Sequence, residues 1–228
     1  TDNLTLLFVD TDVQIDELTI QNSSFIGGSQ GINDDGDFNS DNLDHLIENN
    51  YFENQSYRSI EFNDIENLSI IGNEFRNTAF EDIEVIWGED AINAVISDNL
   101  IYAENNAIGM ELDDIETVAP GSASFINNSI YIGNNAGTIA GEGVYLHGFA
   151  GASDIAVQHN TVFVENSTDA TAYAFRFDGG IEGNVFENNN IVLTGSAGTA
   201  AIFDDGLVVN ASDYNNIFVS GGADLTDW

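Results

Sequence analysis

Cysteine and lysine are absent from this chain, and proline occurs once, at Pro120. Without cysteine there are no disulfides and no thiolate metal sites, and cysteine usage says nothing about the redox compartment. Basic charge is nearly missing as well. Arg58, Arg76 and Arg176 stand against 39 Asp and Glu residues, which gives a net charge of −36. Such a surface repels nucleic acid and anionic membrane, since both are bound by neutralising phosphates with Lys and Arg. It favours cations, basic partners or a saline medium that screens self-repulsion, and a marine or hypersaline setting accounts for it equally well. No run of about 18 apolar residues occurs, so no membrane insertion is expected. The opening Thr1-Asp2-Asn3-Leu4 lacks the regions of a signal peptide, so a removed leader or a segment of a longer chain is expected.

What is present is apolar material in regular patterns. Hydrophobic residues make up 43% of 228, enough for one continuous core and short for two, so residues 1–228 read as a single domain. Abundant Ile, Val, Phe and Tyr in order argues against disorder. One motif recurs: an apolar residue, two variable residues, Asn, a variable residue, then an apolar residue. It runs from Ile47-Glu48-Asn49-Asn50-Tyr51-Phe52 through Ile70-Ile71-Gly72-Asn73-Glu74-Phe75 to Phe186-Glu187-Asn188-Asn189-Asn190-Ile191. The Asn slot is filled by Ser23, Asn50, Asn73, Asn99, Asn128, Asn160, Asn189 and Asn215, at steps of 27, 23, 26, 29, 32, 29 and 26 residues. Irregular steps suit rigid turns alternating with loops of free length, and are too uneven for a propeller or a helical repeat.

Period-2 alternation on either side of the Asn predicts two short strands meeting at a bend. Asn tolerates the left-handed conformation such a bend needs, and amides on successive coils can hydrogen-bond along the stack. A further strand is expected upstream of each Asn, at 59–62, 83–87, 107–112, 143–146, 172–177 and 199–203. Three strands per coil predicts an all-β fold, a right-handed parallel β-helix solenoid of about eight coils with an Asn ladder at one turn. Ile130, Ile132, Val162, Val164, Ile191, Leu193, Ile217 and Val219 are expected to point inward. Neither end carries a convincing cap, which leads to the expectation of further segments or of copies stacking end to end.

On these motifs the chain resembles the pectate-lyase-like superfamily of right-handed parallel β-helix repeat proteins, over nearly its whole length. The resemblance implies the scaffold, which in that superfamily serves polysaccharide lyases, hydrolases, epimerases, phage tailspikes and bacterial surface proteins. The stretch Asp213-Tyr214-Asn215-Asn216-Ile217-Phe218, followed by Asp224-Leu225-Thr226-Asp227-Trp228, is similar to β-helix segments of secreted surface proteins.

The sharpest chemical feature is acid where each coil's first strand ends: Asp34, Asp35 and Asp37; Asp64; Glu89 and Asp90; Asp113 and Asp114; Asp178; Asp204 and Asp205. In register these would form one row of carboxylates near strand spacing, which cations relieve. Ca²⁺ suits such oxygens. The Asn33–Asp41 stretch looks like a calcium loop but, counted from Asp35, lacks the glycine at its sixth place and has Leu46 at the acidic twelfth.

Catalysis would rest on Arg176, with His147 one coil before it and Asp204 and Asp205 one coil after, on the face where members of the superfamily bind glycans. An arginine in such a surface also simply pairs with carboxylates. Lyases of the superfamily need Ca²⁺ with an Arg or Lys base, and few bases are available here. A hydrolase would need two carboxylates about a sugar. His45 and His159 read as isolated, the latter as a turn residue. Asn-x-Ser/Thr triplets at Asn3, Asn22, Asn54, Asn67, Asn127, Asn166 and Asn210 arise easily in an Asn-rich repeat. Two expectations follow. One is a noncatalytic extracellular or cell-surface module of an adhesin or filament that binds Ca²⁺ or glycans. The other is a polysaccharide-active enzyme on the same scaffold.

Overall fold

The computed structural model describes residues 4–9, 15–35, 42–117, 122–135, 141–147, 155–166, 172–178, 182–195, 200–205 and 208–227. They form a parallel β-helix of three long parallel sheets, with no α-helix among them. Each coil visits the first, second and third sheet in turn. The first sheet stacks Thr5–Val9, Gln30–Asp35, Arg58–Glu66, Glu84–Ile92, Ile108–Asp113, Glu142–His147, Tyr173–Asp178, Ala200–Asp205 and Asp224–Asp227. Eight coils are complete, and Asp224–Asp227 opens a ninth on the first sheet. Parallel strands joined by crossovers take the right-handed sense.

The second and third sheets meet at the Asn bend. Each ladder Asn accepts, through Oδ1, the backbone N–H and the side-chain amide of the Asn one coil earlier. Asn99 Oδ1 takes Asn73 N at 2.9 Å and Asn73 Nδ2 at 3.1 Å, while Asn99 Nδ2 donates to Ile70 O at 2.9 Å. The chain of bonds is continuous from Ser23, whose backbone N–H donates to Asn50, to Asn215. Asn50, Asn73, Asn99, Asn128, Asn160 and Asn189 are buried. Buried amides are tolerated because nearly every donor and acceptor is used.

The left-handed residue of the bend is not the ladder Asn, as the sequence suggested, but the residue before it. Asn49, Asp98, Asn127, His159, Asn188 and Tyr214 all have φ between 54 and 59°, and Gly72 has 65°. The ladder side chain must point inward to meet its neighbours, so the turn falls on the preceding position. His159 is thus a turn residue, as expected.

Packing follows register. The third sheet pairs Phe75 with Ile101, Ile101 with Ile130, Ile130 with Val162, and Val162 with Ile191, which gives one apolar column. Ile132, Val164 and Leu193 form a second, and all these residues are buried; Ile217 and Val219 are partly buried against the same core. Phe25, Phe52 and Phe75 stack at 4.9 and 4.8 Å between centroids.

On the first sheet two consecutive residues face inward, as in Gly31-Ile32, Gly109-Met110 and Gly143-Val144. The first of each pair lies against the next coil's backbone. A Cβ on Gly143 would stand 2.4 Å from Ala174 O and 2.4 Å from Val162 Cγ1.

Candidate functional site

The outer face of the first sheet gathers the charged chemistry of the molecule. Register sorts it into columns along the axis. One column runs Gln30, Arg58, Glu84, Ile108, Glu142 and Tyr173; the next runs Asn33, Glu61, Trp87, Glu111, Tyr145 and Arg176. A third runs Asp35, Asn63 and Glu89, then Asp113, His147 and Asp178. Residues of different coils are therefore neighbours although 20 to 35 positions apart in sequence.

Both arginines on this face are engaged. Arg58 bonds Glu84 through Nε at 2.5 Å and Glu61 through Nη1 at 3.0 Å, and its guanidinium lies 3.8 Å from the Trp87 ring centre and 4.4 Å from that of Tyr57. Arg176 reaches Glu142 Oε1 at 3.3 Å and Asp178 Oδ2 at 3.4 Å and lies over the Tyr145 ring at 4.2 Å. Arginine combines such pairing and stacking because its plane is delocalised and weakly hydrated.

Carboxyls crowd between the two arginines. Burial pushes Glu111 up to about 7, helped by Glu84, Asp113 and Glu142 and opposed by Arg58. Glu142 is also pushed up to about 7 by burial, against the pull of Arg176. Asp113, Glu89 and Asp35 are raised as well, each chiefly by burial. Glu142 is 6% exposed, and its Oε2 has no hydrogen-bond partner among the described residues.

The acids expected in one row separate into three settings. Asp35, Glu89, Asp113 and Asp178 belong to the third outer column, together with Asn63 and His147. Asp64, Asp90 and Asp114 share a left-handed corner just beyond, with φ of 52, 51 and 51°. Asp34 points inward, in register with Phe62. It bonds buried His45 Nδ1 at 2.6 Å, while Nε2 of that ring meets Ile15 O at 2.7 Å. His45 is therefore not isolated. Strand alternation separates Asp34 from Asp35, and the left-handed corner separates Asp64, Asp90 and Asp114 from the outer column.

Asp204 lies in register with Phe177 and Asp205 with Asp178, one coil after Arg176 as expected. Asp37 lies outside the described residues, as does Gly36–Asp41 of the calcium-like loop. Among the described residues no group of three or more His, Asp or Glu is placed to hold a metal ion. His147 sits beside Asp113, Nδ1 to Oδ1 at 3.6 Å, and its ring centre is 6.2 Å from that of Tyr145.

Glu111, Glu142, Arg58 and Trp87 were not anticipated as a group. The available signal was a charged residue at the outward beat of an otherwise apolar strand, as in Ile108-Gly109-Met110-Glu111-Leu112. A second surface lies on the third sheet. Tyr102, Tyr131 and Phe163 stack there at 4.8 and 5.2 Å, beside a shallow depression of about 370 Å³ lined by Glu74, Phe75, Arg76, Leu100 and Tyr102. Comparison with models of protein families, with curated proteins and with solved structures returns no match for this chain.

Proposed function

We propose that this chain is a noncatalytic, extracellular β-helix module of a surface protein, of the pectate-lyase-like kind, that presents the outer face of its first sheet to a glycan. One observation carries the reading. Side chains on that face stack rung on rung, and its arginines are held by Glu61, Glu84, Glu142 and Asp178 instead of converging on an open centre. Charged groups already locked in pairs position a ligand; they are poor proton-transfer agents. Trp87, Tyr145 and Tyr173 lie on this face with arginine planes over their rings, a mix of apolar body and polar edge that interfaces favour.

One observation favours a polysaccharide-active enzyme instead. Glu111 and Glu142, both near 7 on the same face, could divide into one acid and one base at neutral pH. Incubating the protein with a panel of neutral, acidic and amine-bearing polysaccharides separates the two readings. The module should be retained on a polysaccharide in affinity electrophoresis and release neither reducing nor unsaturated ends. Ends that appear with wild type and vanish with Glu142→Gln would replace the module by the enzyme.

A further inference from the structure

The carboxyls of the first sheet are short of counter-charge in a way that restricts the ligand. Arg176 satisfies Oε1 of Glu142 and leaves Oε2 buried without a partner among the described residues. A buried acceptor in that state is destabilising until a donor arrives. Glu111 lies one coil earlier, in register with Tyr145, between Trp87 and that ring along its column. Arg58 and Arg176 are consumed by Glu61, Glu84, Glu142 and Asp178. A uronate or sulfated polymer would thus add like charge to a surface whose arginines are already paired with carboxylates. A neutral sugar would leave the carboxyls uncompensated.

We infer that the glycan of this face carries protonated amines, and that Glu142 and Glu111 form a subsite for the ammonium groups of a de-N-acetylated amino-sugar polymer. This rests on the glycan reading above and narrows it to one charge class. An ammonium supplies three donors and no acceptor, which matches an unpaired carboxylate oxygen among carboxylates. Its compact charge needs no full coordination shell from the protein, consistent with the absence of a three-ligand cluster among the described residues. The coils repeat every ~4.8 Å along the axis. An extended amino sugar lying along the stack would therefore meet acidic rungs in succession. Tyr145 and Tyr173 stand on the two columns that hold Glu111 and Glu142, so both rings flank the subsite.

Calorimetric titration of the full chain at fixed ionic strength tests this with four probes: a short glucosamine oligomer, its N-acetylated counterpart, an oligogalacturonate and polylysine. The glucosamine oligomer should bind most tightly. The Glu111→Gln/Glu142→Gln double variant should weaken it about tenfold or more, because a desolvated charge pair is lost. A charge-matched control on the third sheet, Glu74→Gln/Glu165→Gln, should change it less than about twofold, as expected of exposed charges. Thermal melts verify folding, and Glu111→Gln alone, at a position less buried than Glu142, serves if the double variant is unstable.

Equal losses in the two double variants would overturn the subsite in favour of diffuse attraction to a polyanion. Polylysine binding more tightly with the same site dependence would overturn it in favour of a basic polypeptide. Preference for the N-acetylated or uronate oligomer would overturn the amine inference while leaving the glycan reading intact. No binding by any saccharide would remove both.

Discussion

At the scale of the residue, the ladder asparagines carry the most. Each makes bonds that water cannot replace once the coil is closed. Asn99 accepts from Asn73 N and Nδ2 and donates to Ile70 O and Asn128 Oδ1. Asn99→Ala strands several buried groups at once, at about 1–3 kcal/mol each. A loss of about 3 kcal/mol or more is expected in urea unfolding. The neighbouring Asn127 is exposed, has φ of 59°, and gives its side-chain amide to Asp98 at 2.5 Å on the surface. Asn127→Gly keeps the left-handed backbone without strain and should change stability by less than about 1 kcal/mol. A similar loss in both variants would show that the surface amide bonds of the turn matter to coil register as much as the buried ladder does.

At the scale of the element, the coil was legible in the sequence wherever one side chain does one job. The Asn spacing, the two short strands about it and the inward pairs Val162 with Val164 and Ile191 with Leu193 all follow from alternation. So does the existence of a third strand. The inward or outward sense of each acid on that strand was less legible, because consecutive Asp residues look alike in sequence while the pleat sends them opposite ways. Asp34 turns to buried His45 and Asp35 turns to solvent for this reason. The pairing of Arg58 with Glu84, 26 residues apart, depends on loop length, which composition does not encode.

The first-sheet glycines are a further element-scale feature. Gly109 and Gly143 fill the slot where one coil's backbone meets the next, and a Cβ on Gly109 would fall 2.5 Å from Gly143 O. A backbone oxygen cannot rotate away as a side chain can. Gly143→Ala should therefore force adjacent coils apart and destabilise by about 1–3 kcal/mol, the range for overpacking. Hydrogen exchange should report the loss first at Glu142–His147 and Tyr173–Asp178. An unchanged melting temperature and exchange pattern would mean that the stack has slack at this contact.

At the scale of the whole molecule, a net charge of −36 makes proton uptake a folding variable. The carboxyl shifts at Asp35, Glu89, Glu111, Asp113 and Glu142 all go upward, the last two of the raised glutamates furthest, to about 7. At His45 burial pulls downward, but the hydrogen bond and charge of Asp34, with Ile15 O, outweigh it and raise the ring. A group whose pKa is higher in the folded state holds its proton there while the unfolded chain releases it. Its stabilising contribution is complete below the unfolded value and lost as pH rises through the folded one. For the glutamates that window runs from about 4.5 to about 7; for His45 it begins at 6.5. Every one of these shifts has the same sign, so stability should fall steadily from pH 5 to pH 8, opposite to the acid denaturation of proteins held by ionised carboxylates. Raising the salt to about 1 M shortens the screening length to about 3 Å and should raise the melting temperature most at pH 8, where repulsion is greatest. Glu142→Gln removes one raised carboxyl and should flatten the pH slope without abolishing it. Calorimetric melts across this range, at low and high salt, check both effects together. A melting temperature that rises between pH 5 and pH 8 at low salt would mean that bound counter-charge already neutralises the first-sheet carboxyls.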